Sequence, residues 1–371
     1  MKRFPFYSLP VTAILMVLPS LAQFKDPALI VGTYTSNGSY GAYAYNFAGD
    51  AISVVTDSIK LSNPSYLAVA KKASIIYAVN EDNPGAVSAI AFKNGKLTMV
   101  NSQPISGVHP CYVSVTNDEQ HVFLANYSSG SLMGFSMDGS GALLPAKQTI
   151  THEGFSINTA RQEKPHVHAT VLSKDNRFLY ATDLGTDEVY IYSLNANTGL
   201  LSPAKKQPVV KLTAGGGPRH IVFHPFKKTA YVIEELSGTV TVFDVNTGNG
   251  KMKMRQRIST LPPGFTGTIG SADVHVSPDG KFLYSSNRGS SNSIAIFSID
   301  QKTGKLVYIA EQATLGKTPR NFSIHPSGQY LLAANQNSNQ VVIFKIDNTT
   351  GLLSDTGKRI DVKSPVCLQW L

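Results

Sequence analysis

Short apolar runs recur along the chain, separated by turns rich in Gly, Pro, Asn and Asp, and they follow a fixed order. One kind is apolar at nearly every position, as in Ile76-Tyr-Ala-Val79 and Phe282-Leu-Tyr-Ser285. Such runs predict strands buried on both faces. Another kind alternates, as in Thr239-Val-Thr-Val-Phe243. Ahead of each buried strand comes a run that often begins with proline, as in Pro64-Ser-Tyr-Leu, Pro110-Cys-Tyr-Val, Pro218-Arg-His-Ile and Pro319-Arg-Asn-Phe. Proline is tolerated at the first residue of a strand. Turns such as Ser277-Pro-Asp-Gly280 link the first run to the second, and Asn197-Thr-Gly199 or Asp347-Asn-Thr-Thr-Gly351 lead to a short fourth run.

The four-part unit repeats. Asn126-Tyr-Ser-Ser-Gly-Ser-Leu-Met-Gly-Phe135 returns at Asp183, Asn287 and Asn335, with weaker copies at Asn80 and Glu234. Successive steps are 46, 57, 51, 53 and 48 residues. A period of this length with four short strands per unit predicts a β-propeller. The first unit, Leu29-Ile-Val-Gly-Thr-Tyr34 and Gly41-Ala-Tyr-Ala-Tyr-Asn46, lacks an opening strand, and the chain ends on an orphan one, Pro365-Val-Cys-Leu-Gln-Trp-Leu371. The expected fold is therefore all-β: seven blades of four antiparallel strands, closed by the C-terminal strand joining the N-terminal blade. Closure pairs both terminal edges, and a monomer is expected.

Residues 1–22 read as a secretion signal: Lys2 and Arg3, an apolar run from Val11 to Leu18, then Ser20-Leu-Ala22 as a small-x-small cleavage site. The run is too short to span a bilayer easily. The expected layout is a cleaved leader, 1–22, and a propeller, 23–371, in the periplasm or outside the cell, with no membrane association after cleavage. The whole chain has 33 Lys and Arg against 24 Asp and Glu. Losing Lys2 and Arg3 leaves 31 against 24, a net charge of +7. No basic block stands out, which argues against nucleic acid as a partner, and a small anionic ligand suits the charge better. Cys111 and Cys367 fall in innermost strands of non-adjacent blades and are read as two small buried residues rather than a disulfide.

Stacking the repeats on their second strands aligns two sets of side chains. Near the start of each first strand come Ser65, Cys111, His168, Arg219, Ala272 and Arg320; at the end of each second strand come Tyr34, Glu81, Tyr127, Leu184, Glu235, Arg288 and Gln336. First and second strands are antiparallel neighbours, so both sets must face one mouth of the ring. Charges converging there are costly unless they pair or meet a ligand. Arg219 and Arg320 could grip an anion or pair with Glu235 or Asp273, and Glu235 could pair with Arg288. His166 and His168, two apart on a strand, share a face by alternation. No third ligand is evident for a metal, and none is expected, nor any other cofactor. His168, level with Arg219, is the expected proton-transfer residue, held by a neighbouring carboxylate. His109, His121, His220, His224, His275 and His325 are assigned to turns or packing, with His220 and His275 as further candidates for the mouth. Asn80, Asn126, Asn287 and Asn335 are expected to secure turns.

In combination, Gly217-Pro-Arg-His-Ile-Val-Phe-His-Pro225, Tyr231-Val-Ile-Glu-Glu-Leu236, Pro165-His-Val-His168, Asp273-Val-His-Val-Ser-Pro-Asp-Gly280, Ser286-Asn-Arg-Gly289 and Pro319-Arg-Asn321 resemble the seven-bladed propeller lactonases. That family includes propeller-type 6-phosphogluconolactonases and the fungal carboxymuconate lactonizing enzyme. The resemblance implies a lactone pocket built from His168 or His166, Glu235, Arg219 and Arg288. With it goes the expectation of hydrolysis of a sugar-derived, anionic lactone. Glu235 would act as base, His168 as acid, and the arginines would stabilise the oxyanion; Arg320, His166, Glu81, Tyr127 and Gln336 would bind substrate. The alternatives are lactone-forming cycloisomerisation and a propeller that binds a small ligand or protein without turnover. The family tends to have Asn before the Glu, where this chain has Glu234. That second carboxylate could perturb Glu235 or face away.

Overall fold

The computed structural model describes residues 1–2, 27–47, 54–72 and 74–371. The expected leader lies almost wholly outside them. Seven antiparallel sheets form a ring, and among the described residues the one helical element is the short 3-10 turn Gln336–Ser338. No described helix is long and apolar enough to cross a membrane.

Closure occurs where the orphan strands required it. Pro365–Trp370 pairs with Ala28–Thr33 in the register Leu29↔Trp370 to Gly32↔Cys367 and supplies the inner strand of the first blade. Cys111 and Cys367 are buried free thiols. Second strands such as Ile75–Asn80, His121–Asn126, Phe178–Asp183, Thr229–Glu234 and Phe282–Asn287 are buried at every residue. They are sandwiched between neighbouring blades, so they carry no polar face.

The fourth blade departs from four strands. Its outer edge splits into Leu201–Pro203 and Val209–Lys211, both paired with Glu188–Leu194. Pro203 and Pro208 lack an N–H, so they interrupt a ladder that only an outermost strand can lose. In the second blade, inner-strand pairing starts at Leu67, three residues beyond Pro64.

One contact repeats between blades. The hydroxyls of Tyr180, Tyr231 and Tyr284, at one repeat position, donate to the carbonyls of Gly250, Gly304 and Gly351 at 2.9–3.0 Å. Each acceptor is a turn glycine of the following blade with φ between 72° and 77°, a conformation that favours glycine. Each buried tyrosine removes its ring from water while meeting the need of its hydroxyl for a partner.

Candidate active site

A second repeating hydrogen bond builds the mouth. The residue that follows each second strand donates its backbone N–H to the carbonyl just before the inner strand. The pairs are Tyr34–Ser364, Glu81–Asn63, Tyr127–His109, Leu184–His166, Glu235–Gly217, Arg288–Gly270 and Gln336–Thr318, at 2.7–3.1 Å. All seven aligned positions thus sit at one level around one opening. Gln336 belongs to the ring through its backbone, and its side chain joins none of the ion pairs described below.

The inner strands supply the other set through irregularities in register. Pairing skips Cys111, His168, Arg219 and Arg320 in their respective blades. In the sixth blade the skipped residues are Ala272 and Asp273. A bulge releases one residue from the ladder and re-aims its side chain, which places these groups towards the axis.

Glu235 is the hub. Its Oε2 lies 3.0 Å from Nε of Arg219 and 2.9 Å from Arg288, and its Oε1 lies 2.7 Å from Arg161. The Arg219 contact is an ion pair without an aligned hydrogen bond. Burial alone would raise the Glu235 carboxyl, but Arg288, Arg219 and Arg161 outweigh it and hold it far below the usual carboxylate range. Arg219 is 2 % exposed; burial, with Arg288 and Arg320 nearby, pushes it down to about 10, so it stays charged at neutral pH. It also donates to the Ala272 carbonyl at 2.6 Å and lies 3.1 Å from Nε2 of His220. Across the mouth, the Tyr34 hydroxyl donates to Glu81 at 2.8 Å, and Arg320 sits 3.7 Å from Glu81 and 5.3 Å from the Tyr34 ring centroid. Four arginines face Glu235 and Glu81, with Asp273 beneath them shared between two histidines, so cationic charge exceeds carboxylate charge at the mouth.

His168 lacks the carboxylate partner expected for it. Its Nδ1 lies 3.8 Å from the Cys111 sulfur, and its ring meets Tyr127 and His220 edge-on. Burial and the charge of Arg219 push it well below the ordinary imidazole range, so it is neutral. His166 precedes the strand and His168 sits at its bulge, and both rings meet Tyr127, His168 edge-on and His166 stacked. The His166 ring stacks on Tyr127, with Nδ1 at 3.1 Å from the Tyr127 carbonyl and Nε2 at 3.2 Å from Glu163.

Asp273 takes His220 and His275 instead of an arginine. The distances are 2.7 Å to His220 Nδ1 and 2.9 Å to His275 Nε2. His220 therefore lies directly beneath the mouth, behind Arg219. Glu234 is fully buried and faces away, held by Arg257 at 2.8 Å, so the double carboxylate is two separate ion pairs. The asparagine side chains secure neighbouring loops, as Asn287 with the Thr260 carbonyl and Asn335 with that of Thr314.

Arg161 escaped the repeat arithmetic because it lies in a loop, residues 152–166, which joins the third blade to the fourth and is the longest of the connections between blades. The 57-residue step was its trace in the sequence, since a long connection in a compact domain is commonly functional. A separate open cavity of about 930 Å³ lies at the opposite end of the strands, lined by Lys227, Lys228, Lys251, Lys253 and Lys302. Its one carboxylate, Asp244, is taken by Arg255, so it offers no acid–base pair.

The family model "Lactonase, 7-bladed beta-propeller" matches residues 28–370. A 6-phosphogluconolactonase of Bacillus subtilis is 36 % identical over 92 % of this chain and 97 % of its own length. A second 6-phosphogluconolactonase, from Formosa agariphila, is 33 % identical over 92 % and 98 %. The solved structure of a periplasmic gluconolactonase from Pseudomonas aeruginosa superimposes with a TM-score of 0.88 at 34 % identity, covering 93 % of this chain and 99 % of that one.

Proposed function

The chain belongs to the seven-bladed β-propeller lactonase family, and from that premise we propose that it hydrolyses a sugar-derived lactone at the mouth ringed by Arg219, Glu235, Arg288 and His168. The observation that carries this is a carboxylate gripped by three guanidinium groups beside a neutral, buried imidazole.

The geometry argues for a different division of labour from the one expected of the sequence. Both oxygens of Glu235 are engaged by guanidinium groups, whereas the His168 imidazole is neutral and joins no ion pair, so of the two it keeps a lone pair for a proton, with a basicity that burial and Arg219 lower. In this reading His168 takes a proton from water as the water oxygen bonds to the lactone carbonyl carbon. Arg288 and Arg219 face the negative charge that develops on the carbonyl oxygen. Preorganised donors of this kind are worth about 10²–10³ in rate each. The ring C–O bond then breaks, and the leaving alkoxide takes the proton back from His168, giving the hydroxy acid. Glu235 fixes the two arginines in place.

The test is His168→Asn, assayed on glucono-δ-lactone and its 6-phosphate. The expected loss in kcat is about 10²-fold or more, with an unchanged melting temperature. Turnover within twofold of the wild type removes His168 from the chemistry. Absence of wild-type hydrolysis of every sugar lactone tried removes the hydrolase reading.

The domain reading, a leader of residues 1–22 and a monomeric propeller of 23–371 exported to the periplasm or beyond, stands as part of the proposal. The periplasmic origin of the Pseudomonas aeruginosa relative supports it. Mass spectrometry of the exported protein should place the new N-terminus after Ala22; an intact Met1 in that fraction would refute it.

A further inference from the structure

The geometry points to Arg161 as the residue that selects a lactone carrying a second, anionic group away from its ring. The inference rests on the lactonase reading of the mouth and goes beyond it by assigning the substrate's charge to one side chain.

The three guanidinium groups on Glu235 are not equivalent. The side chains of Arg219 and Arg288 come from the framework of the blades and are 2 % and 17 % exposed. Arg161 comes from the loop of residues 152–166, and its side chain is 43 % exposed. If Arg161 moves away, Glu235 keeps two charged partners at 3.0 Å or less, so the carboxylate stays compensated. Arg161 is thus the cation of the cluster that the site can release to a ligand.

The loop is built to hold the root of that side chain still. His152, where it starts, donates to Asp183 at 2.8 Å, and the backbone N–H of His166, where it ends, donates to the same carboxylate at 2.7 Å. Midway, Ser156 donates to Asp187 at 2.6 Å, and the fully buried Gln162 donates to the Leu184 carbonyl at 2.8 Å. Arg161 itself is fixed through its backbone N–H on the Asn158 carbonyl at 3.0 Å. The guanidinium nitrogen that meets Glu235 also donates to the Tyr127 hydroxyl, 3.2 Å away, whose ring is packed against His166. A side chain that swings from a fixed root over a positive mouth suits a phosphate or carboxylate, which a guanidinium binds through two parallel hydrogen bonds. A neutral sugar lactone offers nothing for this exchange, so its turnover should depend on Arg161 far less than that of an anionic one.

The experiment compares wild type, Arg161→Met and Arg161→Lys on glucono-δ-lactone and its 6-phosphate. Binding of the product acids, gluconate and 6-phosphogluconate, is measured by calorimetry. For Arg161→Met, KM for the phosphorylated lactone and Kd for 6-phosphogluconate should both rise about tenfold or more, and the fall in kcat/KM should be about tenfold larger on the phosphorylated lactone than on the neutral one. Arg161→Lys should recover part of the loss, since lysine keeps the charge without the planar fork. An equal fall on both lactones would make Arg161 a mere brace for Glu235 and overturn the inference; unchanged values on both would do so too. Binding needs no turnover. A wild type that hydrolyses neither lactone therefore refutes the hydrolase reading, while the Kd ratio still decides the role of Arg161.

Discussion

Asp183 accepts the imidazole N–H of His152 at 2.8 Å, with both side chains essentially shut off from solvent. At the same position of other blades the chain has Asn80, Asn126, Asn287 and Asn335. Only the fourth blade must anchor a 15-residue connection at both ends, and there the carboxylate takes His152 with one oxygen and the His166 N–H with the other. Asp183→Asn keeps the shape and removes the charge. It should cost about 1.5–3 kcal/mol, the range for a hydrogen bond to a charged group. Cleavage by protease should begin within residues 152–166, mapped by mass spectrometry. A variant with wild-type melting and cleavage would show that the loop holds without this pair.

Glu235→Gln leaves Arg219 buried with its counter-charge gone. Removing one partner of a buried ion pair typically costs about 3–5 kcal/mol, and denaturant unfolding should register a loss of that order. Adding Arg161→Met removes one of the stranded charges, so the double variant should be more stable than the sum of the two single losses. Strict additivity would mean that Arg161 and Glu235 do not interact in solution.

Glu234 and Arg257 provide the contrast, because the same sequence pair feeds two different surroundings. Arg257 reaches Glu234 at 2.8 Å from an outer strand, far along the blade from the mouth. Arg257→Met should lower the melting temperature and leave kcat and KM within twofold. A changed kcat would place Glu234 in the chemistry after all.

The blade count and the axial ring were legible in the sequence because both follow from repetition. A backbone hydrogen bond that recurs seven times places every residue after a second strand at one level, so alignment alone located Glu235, Arg288, Glu81 and Tyr127. What repetition cannot carry is what occurs once. Arg161 belongs to a loop with no counterpart elsewhere in the ring, and only the stretched 57-residue step betrayed it. His152 repeats nowhere and gave no signal. The partner of His168 was not legible for a different reason: a bulge re-aims a side chain in a way that strict alternation does not anticipate, and the ring turns towards Cys111.

Acid should weaken the site from beneath. Burial and the charge of Arg219 depress His220 from the ordinary 6.5 to about 4, although Asp273 pulls the other way. Between pH 6.5 and about 4 the unfolded chain therefore binds a proton that the folded one refuses, so stability falls as pH is lowered through that window. Burial lowers His275 but Asp273 outweighs it and raises the group, so its contribution has the opposite sign: stability is gained as pH falls towards 6.5 and is fully present below it. His168, also depressed, acts in the same direction as His220. Urea midpoints from pH 7 to 4 should decline in the wild type and decline less in His220→Gln. Equal slopes would rule out His220 as a source.

Closure by the last strand should be a condition of folding. Val366, Cys367, Leu368 and Trp370 are each at most 7 % exposed, and the Trp370 ring packs edge-on against Phe47 and His325 at 5.1 and 4.8 Å. Burying a large apolar side chain contributes about 1.5–3 kcal/mol. Losing several together approaches the whole net stability of a domain, about 5–15 kcal/mol. Deleting residues 365–371 would also bare the edge of Ala28–Thr33, a template for aggregation. The truncated chain should collect in the insoluble fraction, whereas Leu368→Ala should stay soluble and lose about 2–5 kcal/mol in urea unfolding. A soluble truncated protein that melts cooperatively at the wild-type temperature would mean that the ring stands on six complete blades, with the first blade an accessory to it.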